Sequence, residues 1–388
     1  MTARSSTLLI AALGNCCALS IALMCMAAFA TLALAGDGEA TPLTVRQDGD
    51  HLQLEGMPAP AEDKGNTYAR GMAAILSNLG QDVSYDRIMG LSGVAFILQV
   101  DTSGPTIDGG LDCAWWPNDA WGFTLGLPVL SKAAGWDIRH VQCNKESFAA
   151  DPATEYARTL APVVAESLKA NKPLLAETNH GFVVTGTDGG TPPLLGYGTR
   201  GKSTQFSRNT MRLRGGYPCS MYVIGKKAPA ASPKEIDLAS LRHIVALFNE
   251  QALPADAPRT RHSGKQAWAD WLALLKKALA EGDHSNYSAW DNNMLIHLCY
   301  NRRCAVAYLR EMAGRYDGET AKYLTDAADL YQQGLKELMA GEMPHPGPTK
   351  GGLPAYTAMV ERVASLEAQA VAHIEKALCV MDGKERVK

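Results

Sequence analysis

The sequence predicts an α+β fold, with strands and helices mixed in its first half and an all-α second half. Three observations predict it. Up to residue 228, apolar runs of two to four residues, at 174–176, 182–185, 194–195 and 221–224, are bounded by Gly, Asp and Pro, as sheet turns are. From residue 233 onward apolar positions recur every three or four residues and few strand signals remain. The composition is globular, 46% hydrophobic and 20% charged over 388 residues, which suits one large domain or two ordinary ones.

The elements follow in order. Residues 8–35 carry no charge, come after Arg4 and end on Ala33-Leu34-Ala35. That is the order of a signal peptide, although the run exceeds the usual ~7–15 apolar residues and also suffices for a spanning helix of ~20. Cleavage after Ala35 and an uncleaved N-terminal anchor both put residues 36–388 outside the cytoplasm, periplasmic or extracellular, with the membrane met only through the first 35 residues. Residues 36–65, rich in Gly, Pro and acids, read as a linker.

A first domain is expected over 66–228. Asn66 caps a helix over 67–79, with Met72, Ile75, Leu76 and Leu79 at helical spacing and Gly80 just past its end. A short helix at 85–89, a turn and the apolar run 94–98 come next. Residues 101–126 read as a Gly-rich loop holding Trp115, Trp116 and Trp121. Asp151-Pro152 starts a helix that runs to Asn171. After a linker at 226–231, Ser232-Pro233-Lys234-Glu235 is a capping box with proline at the first helical position. It opens a helical domain over 233–382, with helices at 233–251, 264–281, 288–314, 319–340 and 354–381.

Charge and cysteine content narrow the function. The 37 basic and 40 acidic residues balance to −3, which argues against broad nucleic-acid binding. Of nine cysteines, six lie beyond residue 35, at 113, 143, 219, 299, 304 and 379. Export permits disulfides, six cysteines allow 15 pairings, and burial as small hydrophobes is an equal alternative. Cys299 and Cys304 point to different faces of one helix and are not expected to pair.

Two segments carry the candidate chemistry. The stretch 71–96, GMAAILSNLGQDVSYDRIMGLSGVAF, and the strand 180–188, HGFVVTGTD, resemble bacterial proteins whose N-terminal half is similar to butirosin-biosynthesis protein H. Those in turn resemble the papain-like peptidase domains of bacteriocin-exporting transporters. Residues 233–340, including LTDAADLYQQ, are similar to the helical region that follows in these proteins. The resemblance is at the level of pattern. It implies a papain-like N-terminal half, with a Cys at a helix N-terminus, a His on a strand and an acid that orients the His.

Residue by residue, the resemblance puts Thr67, with Asn66 as the alternative, at the cysteine position, and His180 at the histidine. The acid's position falls on Leu195-Gly196-Tyr197, and Asp188 is the nearest acid. One member of three is retained. His180 is thus a catalytic residue, a binding residue or a histidine satisfied at a sheet edge. Cys113, in Leu111-Asp112-Cys113-Ala114-Trp115-Trp116, is a substitute nucleophile only in an unusual topology, with disulfide or buried thiol as the alternatives. Trp115, Trp116 and Trp121 offer an aromatic platform for a ligand, or cover the join between the halves.

Other motifs carry less. Residues 196–203, GYGTRGKS, match a phosphate loop literally, but the flanking strand is short and no helical spacing follows. His297, Cys299 and Cys304 share no helix face, so no metal is expected, and no motif points to a cofactor. The expected function is an exported, catalytically degenerate papain-like protein that binds a peptide or amide-containing small molecule. The alternatives are a cysteine- and histidine-dependent amide hydrolase or acyltransferase, and a structural envelope protein without ligand.

Overall fold

The strands at 174–176, 182–188 and 220–227 carry the consecutive apolar residues Leu174–Ala176, Phe182–Val184 and Met221–Ile224 because the sheet they build is covered on both faces. Leu175, Val183, Tyr222 and Ile224 pack into one core, and Leu174, Ala176, Phe182, Val184, Met221 and Val223 into another. The computed structural model describes residues 43–60, 65–81, 83–102, 106–108, 121–177, 181–188, 191–199, 206–210, 217–229, 231–252, 260–282, 287–339 and 352–383. The uncharged run at 8–35 lies outside them, and no helix among them is long and apolar enough to cross a membrane.

The main sheet is antiparallel. Its order is β1 (Thr44–Asp48), β2 (His51–Glu55), β7 (Phe182–Asp188), β6 (Leu174–Ala176), β10 (Ser220–Lys227) and β5 (Trp136–Gln142). Off this path, β8 (Thr191–Thr199) pairs with β7, and β9 (Phe206–Thr210) with β8. Helix α1 (Thr67–Asn78) covers one face beside α2 (Tyr85–Leu91). Helices α6 (Pro152–Thr159) and α7 (Ala161–Lys169) cover the other through Tyr156, Leu160, Val164 and Leu168. A second sheet joins β3 (Gln99–Asp101), β4 (Thr106–Asp108) and β11 (Arg261–Ser263), so the later half contributes a strand as well as helices.

Several expectations are corrected. The stretch read as a linker contains the β1–β2 hairpin, turning at Gly49-Asp50. Its alternation is real, with Leu52 and Leu54 buried, but five residues gave a weak signal. The loop read over 101–126 includes β3, β4 and α3 (Trp121–Leu125) at its ends, and α4 (Leu127–Ala134) follows it. The single helix read from Asp151 to Asn171 breaks between α6 and α7, where Pro162 has no N–H to give. α5 (Lys145–Ala150) precedes it.

Only the first four residues of the phosphate-loop spacing are among the described residues, with 200–203 outside them. Gly196 to Thr199 lie inside β8, and a Cβ on Gly196 would run into the Val183 carbonyl. That glycine serves strand packing and not a phosphate. Pro192 and Pro193 sit at a register shift of the β7–β8 pair, where a missing N–H is tolerated.

The later half is helical. It comprises α8 (Pro233–Phe248), α9 (Gly264–Glu281), α10 (Tyr287–Ala313), α11 (Gly318–Met339) and α12 (Gly352–Met381). Ser232 and Glu235 close the capping box at α8 in both directions. One core joins the halves: Met72, Ile75, Ile88 and Met89 lie in the same cluster as Ile244, Tyr308, Tyr331 and Ile374. Contacts accordingly group Leu43–Lys388 as a single compact unit.

A buried ion pair within the later half reaches across this join. Arg302 on α10 and Glu367 on α12 have side chains only 1% and 2% exposed, and they are held together through two guanidinium nitrogens. Arg302 Nη1 donates to the carbonyls of Ala95 at 2.8 Å and Ile97 at 3.2 Å, and Trp268 Nε1 donates to Glu367 Oε2 at 3.1 Å. Nearby, His243 Nε2 faces the Ser92 carbonyl at 3.3 Å, and burial holds its pKa below the ordinary value despite that contact.

Two predictions follow from these groups. Arg302→Met or Glu367→Gln alone strands a buried partner and should cost about 3–5 kcal/mol in urea unfolding, with the double replacement costing less than the sum. His243 is neutral when folded and takes up a proton more readily when unfolded. Stability should therefore be intact above about pH 6.5 and fall as pH drops from there toward the lower folded value. His243→Gln should flatten that part of the profile.

Candidate functional site

The start of α1 is held by three short contacts. The Asn66 side chain accepts from the Ala69 N–H at 2.9 Å, capping the helix as its sequence predicts. Asn66 N donates to the Tyr85 hydroxyl at 2.8 Å, tying the cap to α2. Thr67, the first helical residue, is 3% exposed, and its Oγ1 accepts from the Gly181 N–H at 2.6 Å. Gly181 lies just before β7, beyond the last ladder pair, Ala176 with Phe182. A Cβ on Gly181 would lie 2.9 Å from the Thr67 carbonyl and from Tyr68 Cα, so only glycine lets the strand come this close.

The residues singled out in the sequence divide accordingly. Asn66 and Thr67 meet the start of β7 at Gly181. His180, Cys113, Trp115 and Trp116 lie outside the described residues, and Trp121 begins α3. Asp188 is the last residue of β7, opposite Thr191. Seven strand positions, roughly 23 Å of extended chain, run from Gly181 to Asp188.

Sequence reasoning missed a buried acid on the near side. Glu177 follows β6, is 1% exposed, and donates its N–H to the Ser220 carbonyl at 3.0 Å. Its carboxylate gathers three donors. His140 Nε2 lies 3.0 Å from Oε2, the Ser220 hydroxyl donates to the same oxygen, and the Tyr222 hydroxyl donates to Oε1 at 3.2 Å. Tyr222 is in turn 2.9 Å from Thr124 Oγ1, its ring stacks on His140 at 4.9 Å, and it meets Tyr68 edge-on at 6.2 Å. The network thus backs onto the first turn of α1. The available signal was the acid after a buried strand, three residues before His180 in Glu177-Thr178-Asn179-His180.

This arrangement positions groups and supplies no evident nucleophile. Ser220 and His140 both bond to Glu177 and not to each other, and Ser220 is fully buried, so they form no serine–histidine–acid relay. Burial first, then the Glu177 charge, pushes the Tyr222 hydroxyl well above its usual pKa, so it remains a donor. Burial likewise raises the thiols of Cys143 and Cys299 to about 11 and that of Cys219 to about 12, and raises Cys304 further. These thiols are protonated at neutral pH and are poor nucleophiles. No family model and no curated protein sequence matches this chain.

The Thr67 contact has a measurable consequence. Thr67→Val removes the acceptor and leaves the Gly181 N–H without it in a buried place. Denaturant unfolding should record a loss of about 1–3 kcal/mol. Thr67→Ser keeps the hydroxyl and should lose clearly less.

Proposed function

We propose that this chain is an exported, catalytically degenerate papain-like protein that binds a peptide or amide-containing ligand where α1 meets β7. The observation that carries the reading is the 2.6 Å bond from the Gly181 N–H to Thr67 Oγ1. The resemblance assigns the nucleophile position to Thr67 and the general base to His180, the residue directly before Gly181. A helix start packed against that strand agrees with such an ancestry. The reactive thiol does not survive in it. A threonine hydroxyl has a pKa far above that of a thiol, and here it is buried and already engaged. Export rests on the uncharged run at 8–35 with its Ala33-Leu34-Ala35 ending.

Ligand binding at this junction fits what is polar there. The helix N-terminus carries partial positive charge that suits a carbonyl or carboxylate group. His180, Trp115, Trp116 and Trp121 supply a hydrogen-bonding imidazole and flat apolar rings in the same half of the chain.

The test has two arms. Purified full-length chain is assayed with p-nitrophenyl acetate and a fluorogenic peptide amide, before and after iodoacetamide. No iodoacetamide-sensitive hydrolysis is expected. Melting is then followed with millimolar N-acetyl dipeptide amides, where a binder raises the midpoint by roughly 3 °C and His180→Ala abolishes the rise. Hydrolysis lost on alkylation of Cys113 would establish the hydrolase or acyltransferase instead. Silence in both arms would leave the structural envelope reading.

A further inference from the structure

Two cysteines stand opposite each other where β5 and β10 end beside Ser220. The β5–β10 register ends with Ser220 opposite Gln142, and one step further sets Cys219 opposite Cys143. The Cys143 N–H donates to the Cys219 carbonyl at 2.8 Å, which holds the two backbones side by side. Directly opposed residues of antiparallel strands have Cα atoms about 4.5–5.5 Å apart, inside the ~4.4–6.8 Å that a disulfide spans. Cys143 packs in the core with Met221 and Val223, under α6 and α7, and the Cys219 thiol lies 3.9 Å from the Ser220 hydroxyl. Both are thiols here and each is 5% exposed.

We propose that Cys143 and Cys219 form a cross-strand disulfide that staples β5 to β10. The pairing was open from the sequence, and geometry singles out this pair among the described cysteines. The oxidant is a disulfide, either a small one such as oxidised glutathione or that of a thiol oxidoreductase. One cysteine thiolate attacks a sulfur of that disulfide, forming a mixed disulfide and releasing one thiol. The second cysteine then attacks the mixed disulfide and releases the other thiol. Two S–H bonds are lost and one S–S bond is gained in the protein, while the donor's S–S bond takes up two electrons and two protons.

The burial that raises both thiol pKa values slows attack in the closed fold, so oxidation belongs to folding or to local opening. Once formed, the bond is shielded from reductants by the same burial. Its place gives it a use. β5 carries His140, and β10 carries Ser220 and Tyr222, so a staple between these strands fixes the register of the groups around Glu177. The proposal is independent of the ligand reading and of export.

Non-reducing peptide mapping tests it. Full-length chain is reduced, exposed to oxidised glutathione in mild denaturant, returned to buffer, and alkylated with N-ethylmaleimide in strong denaturant. Trypsin cuts after Arg139, Lys145, Arg214 and Lys226, giving peptides 140–145 and 215–226. These should appear joined, two hydrogens lighter than their sum, while Cys299, Cys304 and Cys379 carry maleimide. In Cys143→Ala the joined species should vanish and Cys219 should carry maleimide. Oxidised wild type should melt about 5 °C above reduced protein. The Cys143→Ala/Cys219→Ala double variant should show no such difference. Maleimide on both Cys143 and Cys219 after oxidation, or either of them joined to Cys113, would overturn the proposal.

Discussion

The buried pair of Arg302 and Glu367 is the constraint on which the arrangement of the two halves turns. A guanidinium and a carboxylate taken out of water are costly unless both are fully hydrogen-bonded. Here the carboxylate receives Arg302 and Trp268, and the guanidinium also binds the carbonyls of Ala95 and Ile97. Those carbonyls belong to residues 94–98, which lie in no helix or strand. The apolar run Val94-Ala95-Phe96-Ile97-Leu98 thus packs as a turn whose carbonyls find their donor on a helix more than 200 positions later.

That turn sits between α2 and β3, so fixing it fixes both neighbours. β3 pairs with β11 from the later half, and α2 shares a core with α10 through Ile88, Met89 and Tyr308. The Tyr85 hydroxyl on α2 then accepts from Asn66, at the cap of α1. A chain of contacts thus runs from the buried pair through α2 to the helix start that meets β7. The Glu177 network supports the same junction from the sheet, through Tyr222 and Tyr68. Polar satisfaction at three buried places, and not reactivity, is what these contacts accomplish.

Local chemistry made part of this legible. Asn66, Asp151 and Ser232 cap helices where their sequence contexts predict, because capping depends on residues three positions away. The long helices of the later half follow their apolar spacing. What the sequence hid depended on distant partners. β5 carries Asp137, Arg139 and His140, and it is a strand because β10 pairs with it, not because it alternates cleanly. The hairpin of β1 and β2 is fastened by two pairs to β7. Glu177 follows a three-residue apolar run, and its partners Ser220, Tyr222 and His140 come from two other strands.

The central claim is that the first residue of α1 holds the entry to β7, the place where the candidate site is read. Residue-resolved hydrogen exchange at the Gly181 amide measures this most directly. The account predicts that this amide, though beyond the last ladder pair of β6 and β7, exchanges as slowly as Val183 and Val184 in the strand. It also predicts that the protection disappears in Thr67→Val while Val183 and Val184 stay protected. A Gly181 amide that exchanges in the wild type at the rate of an exposed loop would contradict the account, because the helix and the strand would then not meet.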